Sequence, residues 1–392
     1  MSKVTQIMGF AAFLAVFLII YGGAHVFVFW RIKVSWNPGP RCLAGLAVFL
    51  TLMALAPILE RVAERLQWEL LARVLAYAGY VWMGILFLGL AAYLVLGGYR
   101  GLLALVDRTA SLPAAFRLGD RQALWLALGL AVAVTLYGHW EAWNIRTSRL
   151  KVVSAKIPPA VGPVTVVQIS DVHLGLIVRT ARLNRIAARV REAQPDLLVS
   201  TGDLVDGELD DIGCLLQCLR EIQPRFGKFA VTGNHEFYAG LPQALEFTRR
   251  MGFTVLRGEA REVPGVLRIA GVDDPAVKYF EPGRDVPETE VLGPLPPGEF
   301  RLLLKHQPRI DPAALGEFDL QLSGHTHGGQ IFPFGFFTRL AYPLGSGFKS
   351  LDRGSAVYVS RGSGTWGPPI RFLAPPEITV IELVPAGATA AR

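Results

Sequence analysis

Cysteine is nearly absent from this chain: Cys42, Cys214 and Cys218 are the only three in 392 residues, which excludes a disulfide framework. Cys214 and Cys218 lie four apart, so in the helix-like stretch Leu209 to Ile222 they stack on one face. With no histidine nearby they make no zinc site, and buried packing is the expected role of both. Charge is also scarce, since Asp, Glu, Lys and Arg together make up 18% of the residues against 52% hydrophobic ones. A soluble fold does not carry that excess, and almost all of it lies before residue 145. A clustered basic and aromatic stripe is missing too, which argues against the nuclease that a net charge of +7 would otherwise invite. The positive balance favours anionic partners such as phosphate esters or lipid headgroups, although basic loops beside membrane helices give the same excess.

What is present falls into two parts. Four apolar segments, Ile7–Phe29, Leu43–Leu59, Val74–Gly98 and Ala123–Trp140, approach or exceed the roughly 20 residues that cross a hydrocarbon core. They predict four transmembrane helices within residues 1–145, hence a multi-pass membrane protein. The second is the shortest and contains Pro57, so it is expected to be tilted, broken or partly re-entrant. Lys3 precedes the first segment as in a signal peptide, but no small-x-small cleavage site comes after it and three further spans do. Basic residues divide almost evenly between the two sets of loops. The run Arg146 to Lys156 after the fourth helix points to a cytoplasmic face for the globular remainder of the chain, with the opposite face as the alternative.

A linker is expected at 146–159, a globular domain at 160–386 and a flexible tail at 387–392. In the globular part, Val164–Ser170, Leu197–Thr201 and Lys228–Thr232 are short β-branched runs bounded by Gly, Asp or Pro, as buried strands are. Thr180–Ala193 and Leu209–Ile222 between them have helical spacing of Leu, Ile and Val, which implies a largely parallel sheet. Phe253–Leu256, Val266–Val272, Phe300–Leu304, Leu320–Leu322, Ala356–Ser360 and Ile378–Leu383 read as further strands with fewer helices between them, forming a second sheet packed on the first.

Of seven histidines, five cluster with Asp, Asn or Gly just after strand-like runs, where α/β sheets build their sites. The segments are Ile169-Ser-Asp171-Val-His173, Thr201-Gly-Asp203, Thr232-Gly-Asn234-His235-Glu236, Lys305-His306 and Ser323-Gly-His325-Thr-His327. Asp171 with His173, and His325 with His327, are spaced by two, so in extended backbone both members of each pair face one cavity. Imidazole, carboxylate and one amide oxygen without thiolate is a ligand set for Mn²⁺, Zn²⁺ or Fe²⁺. Any one of these residues alone is more often a cap or turn residue. Asp206 is expected to cap the helix starting near Leu209, and Asp273-Asp274 to close a turn. Gly202, Gly233 and Gly324 are expected to let the backbone turn tightly beside the ligands.

Taken together and in this order, the five segments resemble the motifs of the calcineurin-like metallophosphoesterase superfamily over about residues 160–386. The resemblance implies an α/β fold, the αββα four-layer sandwich, preceded here by four transmembrane α-helices. It also implies a hydrolase, a metal-dependent phosphoesterase of phosphodiesterase or pyrophosphatase type, with two divalent metal ions as cofactors. Carried over position by position, it puts Asp171, His173 and His327 on one ion, Asn234, His306 and His325 on the other, and Asp203 between both. His235 would be catalytic, donating to the departing oxygen, with Glu236 orienting its ring. Two cations in such a site would activate a water at neutral pH.

The four-helix anchor and the segment Gly364-Thr-Trp366-Gly-Pro-Pro-Ile-Arg371 are similar to the transmembrane branch of that superfamily, some of whose members cleave UDP-2,3-diacylglucosamine in lipid A biosynthesis. A lipid-linked phosphate ester is therefore the expected substrate, and the aromatic stretch Phe332-Pro-Phe334-Gly-Phe336-Phe337 beside the ligands suits either its apolar part or core packing. The competing class is a metal-binding membrane sensor or scaffold without turnover. The presence of both His235 and Glu236 counts against it, since binding alone needs neither.

Overall fold

The computed structural model describes residues 15, 17–110, 113, 116–207 and 213–387. Residues 7–14 of the first apolar segment, 209–212 of the expected helix after Asp206, and the tail from 388 on lie outside the described residues. The chain divides into two compact units, Met1–Trp140 with Gly367–Ile370, and Glu141–Trp366 with Arg371–Arg392.

The first unit holds four helices long and apolar enough to cross a membrane: Leu18–Trp36, Pro40–Arg65, Glu69–Val106 and Asp120–Trp143. The first opens with a π-helical turn, Leu18–Gly22, and ends at Asn37 in the left-handed conformation that closes a helix. The second is one continuous helix through Pro57, so of the expected alternatives, tilted, broken or partly re-entrant, it is not broken. Proline 57 is tolerated because the third helix lies close: a Cβ on Gly79 would come within 2.8 Å of the Ala56 side chain, so backbone packs on backbone there. One polar row inside this unit is hydrogen-bonded throughout. Trp82 Nε1 donates to His25 Nε2 at 2.9 Å, while His25 Nδ1 donates to the Tyr21 carbonyl at 2.7 Å.

The second unit is built on two six-stranded sheets. In one the order is β1 (Arg146–Ser154), β12 (Glu377–Pro385), β2 (Val164–Ile169), β3 (Leu197–Ser200), β4 (Lys228–Ala230) and β5 (Thr254–Val255). In the other it is β10 (Gly347–Ser350), β11 (Ala356–Val359), β9 (Leu320–Ser323), β8 (Arg301–Leu304), β7 (Leu267–Gly271) and β6 (Glu259–Val263). The strands β2 to β5 run parallel, as do β7, β8, β9 and β11. Alternate residues of the two sheets, among them Val166, Val199, Ile269, Leu302 and Leu322, form the core between them. The opposite faces carry helices. Thr180–Glu192, Gly213–Arg220 and Leu241–Arg250 cover Ile169 and Leu198 of the first sheet, while Glu288–Leu292 covers Ala270 and Leu303 of the second. The layer order is helix, sheet, sheet, helix.

Three expectations need correction. Phe253–Leu256 and Ile378–Leu383 belong to the first sheet, not the second; β12 returns across the molecule and lies antiparallel to β2. The stretch 146–159 is not simply a linker, because Arg146–Ser154 pairs with β12 along nine residues. Its basic, half-exposed sequence conceals a strand of which only Leu150 and Val152 face the core. β6 and β10 were not legible for the same reason: both are edge strands with mixed or exposed faces.

Candidate metal centre

The carboxyl ends of β2, β3, β4, β8 and β9 converge, and each delivers its predicted residues to one place. Asp171 and His173 come after β2, Asp203 after β3, His306 after β8, and His325 and His327 after β9, while Asn234 and His235 open a short helix (Asn234–Tyr238) after β4. Asp203 Oδ2 lies 3.1 Å from His306 Nε2 and 3.8 Å from His173 Nε2. His173 Nε2 is 3.0 Å from His327 Nε2, which is 3.5 Å from Asp171 Oδ1. On the other flank, His306 Nε2 is 3.1 Å from His325 Nδ1. Asp171, His173 and His327 thus form one group whose donor atoms lie within 4.8 Å of one another, and Asp203, His306 and His325 form another. All nine residues singled out from the sequence are brought together.

The local backbone is unusual. Asp171, His173, Asp203, His325 and His327 all have φ between 50° and 70°. Non-glycine residues rarely adopt this left-handed region, and clusters of them mark functional sites. The spacing-by-two argument therefore reached the right pairs by the wrong geometry: the members of each pair converge through a twisted loop and not through extended chain. Gly233 and Gly324 serve close approach more than turning. A Cβ on Gly233 would fall 2.1 Å from Asp203 Oδ1, and one on Gly324 would fall 1.9 Å from Ser170 Oγ.

The donor set fits cations. His306 Nδ1 donates to the Thr201 carbonyl at 2.7 Å, which turns Nε2 toward the Asp203 carboxylate. Asn234 Oδ1 is buried with no hydrogen-bond partner among the described residues. Lone pairs from Asp171, Asp203, Asn234 and the imidazoles point at one another with too few protons to share, an arrangement that positive ions relieve.

The electrostatics show the same pull. Burial would raise the Asp203 carboxyl, but the imidazoles of His306, His235 and His173 hold it well below the usual range. Burial would lower His306, yet Asp203 and Asp171 keep it well above the ordinary imidazole value. His325 is driven down to about 3 by burial and by the neighbouring His306 charge. His327 is lowered by burial and by Arg371, so both rings are unprotonated, as ligands must be.

His235 sits at the rim of this cluster, edge-on to His173 with ring centroids 4.7 Å apart. Burial opposes its protonation, but the Asp203 and Asp206 carboxylates raise it to about 9, so the ring is cationic at neutral pH. Asp206 Oδ1 contacts His235 Nδ1 directly. This corrects two assignments. Glu236 does not orient the His235 ring; its buried carboxylate accepts the backbone N–H groups of Asp203, Leu204, Val205 and Gly233 at 2.7–3.1 Å and so fixes the loop that carries Asp203. Asp206, expected only as a helix cap, is the group that holds His235. Its position three residues after Asp203 at a strand end was the available signal.

Two more contributors had no role assigned from the sequence, although Arg371 closes the segment Gly364–Arg371 singled out there. Arg371 is fully buried, donates to the carbonyls of Gly364, Arg361 and His327, and lies 3.1 Å from His327 Nδ1. A lone arginine in the run Pro-Pro-Ile-Arg-Phe-Leu could have flagged it. Tyr342 hydrogen-bonds His325, and nothing in the sequence around it points there. Next to the ligands, the helix Phe334–Ala341 is exposed on its aromatic face, with Phe336 and Phe337 each 63% accessible. It does not pack in the core.

The sequence comparisons agree with this geometry. The family model of calcineurin-like phosphoesterases matches residues 164–329, which begin at β2 and end just past His327. An uncharacterized metallophosphoesterase of Aquifex aeolicus is 41% identical over 255 residues, 65% of this chain and 97% of that protein. One of Campylobacter jejuni is 34% identical over 61% of this chain, which spans only 64% of that protein's length. A transmembrane protein with metallophosphoesterase domain from Danio rerio is 31% identical over 77% of this chain and 72% of its own. With the helix, sheet, sheet, helix order and the strand-end histidines and aspartates already in place, the chain belongs to the calcineurin-like metallophosphoesterase family.

Proposed function

We propose that this protein hydrolyses phosphate esters or pyrophosphate bonds with two divalent cations, Mn²⁺, Zn²⁺ or Fe²⁺, held at the strand ends. The observation that carries the reading is Asp203, whose one carboxylate oxygen lies 3.1 Å from His306 of one candidate group and 3.8 Å from His173 of the other. Asp171, His173 and His327 would hold one ion and Asn234, His306 and His325 the other, with Asp203 shared. Bound there, the pair supplies charge neutralisation for phosphate oxygens and lowers the pKa of water towards about 7. His235, cationic and fixed by Asp206, donates to the oxygen that leaves phosphorus. Glu236 keeps Asp203 in place through the backbone.

The substrate is lipid-linked in this reading, and UDP-2,3-diacylglucosamine of lipid A biosynthesis is the specific candidate. Four apolar helices on the same chain support it, as does the exposed aromatic helix Phe334–Ala341 adjoining the ligands. The catalytic unit is proposed to face the cytoplasm. Purified full-length protein in lipid nanodiscs is assayed against lipid-linked and soluble phosphate esters with Mn²⁺, Zn²⁺ and Fe²⁺ separately, beside Asp203→Asn. Turnover lost in the variant by about a thousandfold or more is expected. Metal uptake by the wild type without turnover of any ester would favour the sensor. Phe334→Ser with Phe336→Ser is expected to weaken turnover of the lipid-linked substrate and spare a small soluble ester; equal loss on both removes the lipid part of the reading.

A further inference from the structure

An imidazole that binds a cation through one nitrogen must carry its proton on the other, and the partner of that proton fixes the ring. For His306 the partner is plain: Nδ1 donates to the Thr201 carbonyl at 2.7 Å, so Nε2 is free to face Asp203. His325 is turned the other way. Its Nδ1 faces His306 Nε2 at 3.1 Å, on the side of the ligand cluster, and its Nε2 faces away. The atom that meets Nε2 is the phenol oxygen of Tyr342, at 2.8 Å.

Tyr342 is itself fixed on three sides. Its ring meets His325 edge-on with centroids 5.0 Å apart, and the Arg309 guanidinium lies over its face at 5.1 Å. The hydroxyl reaches Gln307 Oε1 at 3.1 Å, and Gln307 Nε2 reaches Asp274 Oδ2 at 2.9 Å. Asp274 is buried and accepts the Ala276 backbone N–H at 2.8 Å. Every donor in this row points the same way without conflict: His325 Nε2–H to Tyr342, Tyr342 O–H to Gln307, Gln307 N–H to Asp274. The only tautomer of a neutral His325 that keeps the whole row satisfied leaves the lone pair on Nδ1.

We infer that Tyr342 is a positioning residue that sets the tautomer and orientation of His325, and that with Gln307 it connects this ligand to the Asp274 carboxylate. The inference rests on the two-cation reading of the site. It gives Tyr342, fifteen residues beyond the last predicted ligand, a duty that packing alone would not require.

The test is Mn²⁺ binding by the purified full-length protein, measured by competition with a fluorescent chelator, for the wild type, Tyr342→Phe, Gln307→Leu and the double variant. Tyr342→Phe keeps the ring and deletes the acceptor, and outer partners of this kind typically change metal affinity by about 10- to 100-fold. A loss in that range at one of two Mn²⁺ positions is expected, with the other position and the melting temperature of the metal-free protein unchanged. Gln307→Leu is expected to weaken the same position less, and the double variant to bind no worse than Tyr342→Phe, because both act through one row. Two Mn²⁺ bound by Tyr342→Phe as tightly as by the wild type overturns the inference while leaving the two-cation reading intact. Should Tyr342→Phe fail to fold, unchanged Mn²⁺ affinity in Gln307→Leu overturns it instead. A wild type that takes up no Mn²⁺ overturns both.

Discussion

Leu94, in the helix Glu69–Val106, is 69% exposed, and Leu340, in the helix Phe334–Ala341, is 83% exposed. The first is one of many: the outer surface of the helical unit carries exposed Leu, Val, Ile, Trp and Phe on all four helices, while polar side chains such as His25 and Glu60 are buried and charged ones such as Arg61 lie exposed near the helix ends. The second belongs to a local patch on a unit that otherwise follows the opposite rule, with an apolar interior and buried charges that include Asp171, Asp203, Glu236, His306 and Arg371. An exposed leucine is therefore the normal state in one unit and an exception in the other. The helical unit is built for hydrocarbon as its solvent, and only the globular unit needs a site-specific reason for apolar exposure.

The contrast can be broken at several points. The largest expected effect is at the buried charge of the globular unit: Glu236→Ala leaves four backbone donors without their acceptor and is expected to cost about 3 kcal/mol or more, read as a fall in thermal stability. Of similar size, Leu94→Lys puts a charge into the hydrocarbon-facing surface, and about 2.5–3.5 kcal/mol of insertion free energy is expected to be lost, seen as reduced membrane-integrated yield. Normal yield of that variant would remove the membrane reading of the helix. Next comes His235→Asn, expected to lower kcat by about a hundredfold with Mn²⁺ content unchanged, since in the proposed reading the ring, held by Asp206, moves a proton; a loss of Mn²⁺ would instead assign it to the ions, with His173 and Asp203 beside it.

A smaller effect concerns pH. His235 has a folded value of about 9 against about 6.5 for an unfolded imidazole. Its contribution to the stability of the metal-free protein is fully present below pH 6.5 and is lost as pH rises through 9. The melting temperature of the metal-free wild type should fall across that window, and less steeply in His235→Asn. Smallest of all, Leu340→Lys is expected to shift stability by no more than about 0.5 kcal/mol, although the leucine is more exposed than Leu94. A large loss there would mean that the patch is structural.

The candidate ligands were legible because each stands just after a short strand-like run, and strand ends in α/β sheets are where side chains converge. The fold class was legible for a related reason, as buried parallel strands such as Leu197–Ser200 are nearly continuous apolar runs while amphipathic helices such as Thr180–Glu192 are not. Edge strands escaped, because Arg146–Ser154 and Gly347–Ser350 have little to bury and so no apolar alternation to read. The roles around the ligands escaped for a different reason. Whether Glu236 faces a ring or a row of amides, and whether Tyr342 reaches His325, depends on loop paths that local spacing does not encode. Asp206 shows the intermediate case: its identity and position were visible, but the choice between helix cap and histidine partner needed three dimensions.

Only two residues separate the strand Arg146–Ser154 from the end of the helix Asp120–Trp143, and the strand covers the whole length of Glu377–Pro385. Anyone wishing to study the hydrolase half in isolation meets a practical choice there. A cut placed after Lys156, where composition turns ordinary, would strip a nine-residue ladder and leave a long uncovered border open to other chains. A cut at Asn144 keeps that border sealed, so the shorter product is the one expected to clump.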